Sequence, residues 1–363
     1  MLKNIKIYSI NSIFLSFLSL LSISILTKYL DLYNFGLIAL SILIGNIVSG
    51  FLSLGLPQAT VRFYYESLSN SPGDISKEDF KKLNFINLFF IFFVHLISLF
   101  LLILFLDQIV FLINVPDINN ELILFSFILG YSNKFYAYFI NLLIAQKKAK
   151  KYSYLTILFS VILIVITFLL LFFYNANYLS RVYSLLFCYL SFSIIFLILF
   201  RKTFKISFDI KYLIKSLNYC FPSIPEIIIG LVNDNFDKSI IVKIKNIGTL
   251  GIYDISLRLS SFFKNLIDVV LKVYVPEFMS LAGKGDKKQI KSMYNCVAFY
   301  ISVSCLVVSY FSEEILFIFT SKSFYVAKYY IPLICISILT NHLFSFITRN
   351  QNMYAKKLLN NIP

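Results

Sequence analysis

Residues 153–174 read SYLTILFSVILIVITFLLLFFY, an unbroken run without a charged side chain. At 1.5 Å of rise per residue the run makes a helix about 33 Å long, enough to cross a hydrocarbon core of roughly 30 Å. It is apolar on every face, so no side of the helix is suited to water. Similar runs lie near 7–30, 36–56, 83–106, 121–145 and 179–200, and four more near 217–238, 248–275, 294–317 and 328–349. The chain is therefore expected to be an all-α integral membrane protein with about ten transmembrane helices. Pro222 and Pro225 interrupt the seventh run, and the eighth is unusually polar.

Composition supports the same reading. Of 363 residues, 59% are hydrophobic and 14% charged, against about 45–50% and about 25% in soluble domains. The net charge of +15 raises the question of nucleic acid. The basic residues, however, form neither an arm nor an aromatic-interleaved patch, so no nucleic-acid partner is expected. They cluster in alternate loops instead: Lys3 and Lys6; Arg62, Lys77, Lys81 and Lys82; Lys147, Lys148, Lys150 and Lys151; Arg201, Lys202, Lys205, Lys211 and Lys215. Lys284, Lys287, Lys288 and Lys291, then Arg349, Lys356 and Lys357, continue the series. The intervening loops carry only Lys28, Arg181, Lys238, Lys243, Lys245, Lys322 and Lys328. This bias places both termini in the cytoplasm of a multi-pass protein. The first run is longer than a signal-peptide core and lacks a small-x-small cleavage site, so it reads as the first span. Tryptophan is absent, and any interfacial belt falls to the 25 tyrosines. Five dispersed cysteines show no metal-ligand or disulfide spacing.

An ionisable residue at mid-bilayer costs about 2.5–3.5 kcal/mol on insertion scales, so each one needs a reason. The eighth span has five: Asp254, Arg258, Lys264, Asp268 and Lys272. At 100° per residue they fall within an arc of about 120°, opposite Ile, Leu, Val and Phe. That is the pattern of a cavity-lining helix. Intrahelical pairing is the competing reading, because Asp254–Arg258, Lys264–Asp268 and Asp268–Lys272 are all four apart, and Lys272 also lies close enough to the helix end to snorkel. In the seventh span Glu226, Gly230, Asn233 and Asp237 share one stripe, with Asp234 beside it. Lys134 stands alone midway along the fourth, with Asn141 on its face. His95 reads as a hydrogen-bonded structural histidine before a proton relay. Arg62 reads as an anchor ending the second span, beside Tyr64 and Tyr65.

No phosphate-binding GxxxxGK[ST], Gly-rich dinucleotide loop or HExxH occurs, so no cofactor or metal is expected and no ATP-driven pump on this chain. The longest outer loop, Asp107–Asn120, has no basic residue. This argues against a membrane glycan polymerase or ligase, the alternative from another class.

The chain also repeats weakly. Asn34-Phe35-Gly36-Leu37 followed by Pro57 is echoed by Thr249-Leu250-Gly251-Ile252 followed by Pro276. Ala145-Gln146-Lys147-Lys148 is echoed by Tyr354-Ala355-Lys356-Lys357. Internal duplication is common in transporters. The expected halves are a six-helix bundle over 1–205 and a four-helix bundle over 206–363, a shortened form of a twelve-span design.

These residues carry a resemblance. Thr27-Lys28-Tyr29-Leu30-Asp31 through Gly36-Leu37, Gly55-Leu56-Pro57-Gln58-Ala59 with Val61-Arg62-Phe63-Tyr64, Phe221-Pro222, Asp237-Lys238-Ser239-Ile240-Ile241, Gly251-Ile252-Tyr253, Val275-Pro276-Glu277 and Tyr354-Ala355-Lys356-Lys357 run in order along the chain. Together they resemble the polysaccharide-biosynthesis, O-antigen-type flippases of the multidrug/oligosaccharidyl-lipid/polysaccharide exporter superfamily. The resemblance implies two six-helix bundles around a V-shaped cavity with alternating access, here with an incomplete second bundle. It also implies a substrate, an undecaprenyl-pyrophosphate-linked oligosaccharide crossing the bacterial cytoplasmic (inner) membrane for lipopolysaccharide, O-antigen or capsule synthesis. Implied partners are membrane lipids and, in the assembly pathway, a glycan polymerase and chain-length proteins. Cationic side chains suit a pyrophosphate, so Arg258, Lys264, Lys134, Lys272 and Arg62 are the expected substrate-binding residues. Asp234, Asp237, Asp268 and Glu226 are expected to bind a coupling ion or to pair with cations. A multidrug exporter of the same superfamily, moving organic cations, is the nearest alternative, and a non-functional remnant is another.

Overall fold

The computed structural model describes residues 2–68, 75–113, 118–174, 176–284, 287–342 and 344; side chains are described except at 2–5, 263, 266, 268–284, 287–288, 290–291 and 294. Every regular element among them is a helix. In chain order these are α1 (Leu2–Tyr29), α2 (Leu32–Leu52), α3 (Leu56–Glu66), α4 (Lys77–Leu104), α5 (Leu106–Ile113), α6 (Asn120–Ala145) and α7 (Ala149–Phe173). Then follow α8 (Tyr178–Phe200), α9 (Ile210–Cys220), α10 (Ile224–Ile244), α11 (Ile247–Lys284), α12 (Lys287–Tyr310), α13 (Ser312–Phe319) and α14 (Ile331–His342).

Helix starts follow local chemistry. Ser76 caps α4 by accepting from Asp79 N–H at 3.1 Å, and Asn119 caps α6 by accepting from Leu122 N–H at 2.8 Å. Asn177 and Asp209 do the same for α8 and α9. Gly55, at φ 76, turns the chain after α2 and starts α3 as a separate helix. Arg62 therefore belongs to α3 and does not end the second span. The two prolines act as anticipated: a 3₁₀ turn over Phe221–Ser223 divides α9 from α10, with Pro225 in the first turn of α10.

Among the described residues, five helices are long and apolar enough to span a bilayer: Lys6–Tyr29, Leu32–Leu52, Lys77–Leu104, Ala149–Phe173 and Tyr178–Thr203. Two bent pairs qualify together, Asn295–Tyr310 with Ser312–Phe319 at 62° and Lys322–Tyr329 with Ile331–His342 at 46°. The other expected spans are α6, α10 and α11, of 26, 21 and 38 residues. Each has the length to cross, and each carries the ionisable residues that lower its apolarity. The chain is a multi-pass membrane protein.

Contacts divide the chain into two units, Leu32–Gly251 and Met1–Asp31 with Ile252–Pro363. This differs from the 205/206 boundary suggested by the repeat, and the reason is visible in the first of them. There α9 and the segment before it are strapped to α3 and α4: Lys215 pairs with Glu66 at 3.3 Å, Lys205 with Glu78 at 2.7 Å, and Tyr212 donates to Asp79 at 2.5 Å. Residues past 205 thus pack on α3 and α4.

Within Leu32–Gly251, α6 is central, packed by α2, α7 and α8. Gly45 and Gly130 bring α2 and α6 to backbone contact; a Cβ on Gly130 would collide with the Gly45 carbonyl. Small residues are what lipid-embedded helices need for such approach, since apolar burial alone gives little drive inside a bilayer. On its other side α6 contributes Tyr136 and Phe139 to an aromatic core with Phe159, Tyr189 and Phe196. In the other unit, Ile267, Val297 and Ile301 form a smaller core.

Candidate substrate-binding faces

In the Leu32–Gly251 unit the expected site residue that stands out is Lys134. It is half-buried midway along α6, and no carboxylate pairs with it among the described residues. Its surroundings are polar in an otherwise apolar bundle. One residue earlier, Asn133 donates to the side-chain oxygen of Asn46 on α2 at 3.4 Å. One turn earlier, the Tyr131 ring lies 4.9 Å from the ring of His95 on α4. His95 is 2% exposed, and its Nδ1 lies 2.7 Å from the Ile91 carbonyl, so Nδ1–H donates there. This is the structural role expected from sequence, and it leaves Nε2 buried without a partner.

One turn further along α6 lies a network that sequence reading missed. The Tyr138 hydroxyl donates to the Asn84 side-chain carbonyl at 2.5 Å and lies 3.2 Å from the Thr60 hydroxyl, which accepts from Asn87 at 3.2 Å. Asn84 in turn donates to the Thr203 carbonyl at 3.1 Å. Each residue is uncharged and unremarkable alone, and only the packing of α3, α4 and α6 joins them. Arg181 was also misassigned by sequence, as a loop residue. It is 6% exposed and donates to Thr167 Oγ1 at 2.8 Å across α7 and α8.

Arg62 is exposed on α3. On α10 the acids Glu226, Asp234 and Asp237 are exposed, and the helix buries only Asn235 and Val242. Nothing lies within 4 Å of a Cβ built on Gly230 of the same stripe.

In the other unit, α11 bears the second group of expected residues. Arg258 is partly engaged already: its Nε donates to the 3% exposed Asp254 at 2.6 Å, so the intrahelical pair forms. Lys264 is exposed, and next to it Asn265 donates to Ser16 of α1 at 3.0 Å. The side chains of Asp268 and Lys272 lie outside the described residues.

Residues 1–282 match the polysaccharide biosynthesis protein family. The chain belongs to that family. A search of curated proteins returned no match. Among solved structures, a lipid II flippase MurJ in an inward closed conformation superposes with a TM-score of 0.71 at 17% identity, covering 95% of this chain and 75% of that one. A multidrug resistance MATE family transporter of the MOP superfamily, inward-facing, gives 0.65 at 14% identity, covering 93% and 82%. An outward-facing structure of a transporter so described gives 0.57 at 14% identity, covering 97% and 83%. At these identities the likeness is one of fold. This member of the polysaccharide biosynthesis family has the architecture of those transporters.

Proposed function

We propose that the chain is a flippase that moves an undecaprenyl-pyrophosphate-linked oligosaccharide repeat unit across the cytoplasmic membrane. The observation that carries the proposal is Lys134, a cation inside an apolar bundle without a carboxylate partner among the described residues. A buried charge of this kind is costly, and a pyrophosphate passing through a low-dielectric slab is what it would offset. Family membership supports the surface-polysaccharide setting. Lys264, Arg258 and Lys272 are proposed to contribute from α11, Arg258 while sharing its charge with Asp254, and Arg62 from α3. Glu226, Asp234 and Asp237, with Asp268, are proposed as coupling-ion or ion-pair carboxylates. The functional halves are proposed to be those of the repeat, 1–205 and 206–363, with both termini cytoplasmic. Glycan polymerase and chain-length proteins are proposed partners of the pathway.

The test is binding of the lipid-linked oligosaccharide to detergent-purified protein, in competition with an organic cation dye. Expected is binding of the lipid that the dye does not displace, weakened about 10-fold or more by Lys134→Ala, the scale of one charged hydrogen bond. Binding of the dye alone overturns the reading and puts a multidrug exporter in its place. The exposed acids of α10 are the observation that favours that second reading.

A further inference from the structure

A groove of about 400 Å³ runs between α4 and α8, with α6 as its floor. Phe85 and Phe92 form one wall, Leu190 and Leu197 the other, and Tyr131 and Phe135 the floor. Each wall runs over eight residues, about 10 Å of helix. Phe92, Leu190 and Ile194 are exposed, so the groove opens sideways from the bundle. A slot of this composition on a membrane protein accepts a hydrocarbon chain.

What distinguishes the groove is one of its ends. Lys81 lies one turn before Phe85 on α4, and Arg201 one turn after Leu197 at the end of α8; residues four apart share a helix face. Both walls therefore finish in a cation on the groove side. The strap leading to α9 closes the same end. Lys205 N–H donates to the Lys81 carbonyl at 3.3 Å, and the 61% exposed Phe208 ring packs edge-on against Phe85 and Phe89 at 5.5 and 5.2 Å. Glu78 pairs with Lys81 at 3.3 Å and Lys205 at 2.7 Å. Arg201 and Lys202 are exposed beside them and form no ion pair among the described residues. Asp79 beside Glu78 pairs with Lys82 at 3.3 Å, so Arg201 and Lys202 leave the mouth positive.

We infer that this groove is a binding site for an anionic phospholipid of the adjacent leaflet, its acyl chain between α4 and α8 and its phosphate at Arg201 and Lys202. The occupant follows from charge complementarity. A zwitterionic lipid would fill the slot but leave the mouth's net charge unanswered, and a free phosphate would gain nothing from the rings. Juxtamembrane Lys and Arg attract anionic lipid in this way. The inference does not depend on what the protein transports.

Because the chain has no tryptophan, Phe92→Trp places a single fluorophore on the groove wall, and Leu190→Trp gives an independent reporter opposite. Each is reconstituted in neutral vesicles doped with brominated-chain phosphatidylglycerol or, at equal mole fraction, brominated phosphatidylcholine. Expected is quenching by the anionic lipid at about fivefold lower mole fraction, the scale of one juxtamembrane cation. Arg201→Gln with Lys202→Gln should abolish that preference while leaving quenching by the neutral lipid unchanged. Equal quenching by both lipids in the parent reporter overturns the inference. So does displacement of brominated phosphatidylglycerol by a trace of undecaprenyl phosphate, which would assign the groove to the lipid carrier.

Discussion

Helices α6 and α10 both bring ionisable residues into an apolar chain, yet they sit in opposite surroundings. α6 is packed on several sides and holds Lys134 half-buried, whereas α10 buries only Asn235 and Val242 and leaves its three acids exposed. The difference shows that a charge in a hydrophobic run has two meanings. On α6 the packing of neighbouring helices fixes the position of the charge. On α10 fewer contacts fix it, and the acids stay on the exposed face.

The contrast is broken most directly at the glycines. Gly130→Val on α6 drives side-chain atoms into the Gly45 backbone, and it should cost several kcal/mol, enough to abolish a monodisperse protein in detergent. Gly230→Val on α10 meets open space, so it should shift the unfolding temperature little and change stability by less than about 1 kcal/mol. Comparable losses at both positions would mean that α10 is packed as tightly as α6.

A smaller effect is expected from polar groups. Tyr138→Phe leaves the Asn84 side-chain carbonyl short of a donor in a buried network, a loss of about 1–3 kcal/mol that a thermal scan in detergent reads. On α10, Asn235 donates only to its own helix, at the Leu231 carbonyl, so Asn235→Ala should cost well under that. The smallest effect belongs to the strap. The hydrogen bond to Asp79 raises the Tyr212 hydroxyl above its ordinary value near 10. A raised pKa means that stability is fully present below pH 10 and is lost as pH climbs through the folded value. Thermal stability should therefore fall as pH climbs above about 10 in the parent, and less steeply in Tyr212→Phe.

How much of this was legible depended on the distance between partners. The apolar run of α7, the isolation of Lys134 and the Asp254–Arg258 pair are local, and periodicity alone carried them. The strap was read as a basic loop because its acceptors, Glu66, Glu78 and Asp79, lie more than a hundred residues earlier. Arg181 looked like a topology marker, since nothing nearby in sequence announces that Thr167 will be waiting. The break at Gly55 was hidden because a positive φ leaves no trace in hydropathy, and Arg62 moved to another helix as a result.

The meeting of Gly45 and Gly130 also bears on how the molecule can move. Two backbones in direct contact have no side-chain layer between them to shear, and a shift of one residue would set a Cβ against a carbonyl. The α2–α6 pair therefore behaves as one stiff beam. Bending is left to the places where helices already break: the turn at Gly55, the 3₁₀ segment before α10 and the bends before α13 and α14.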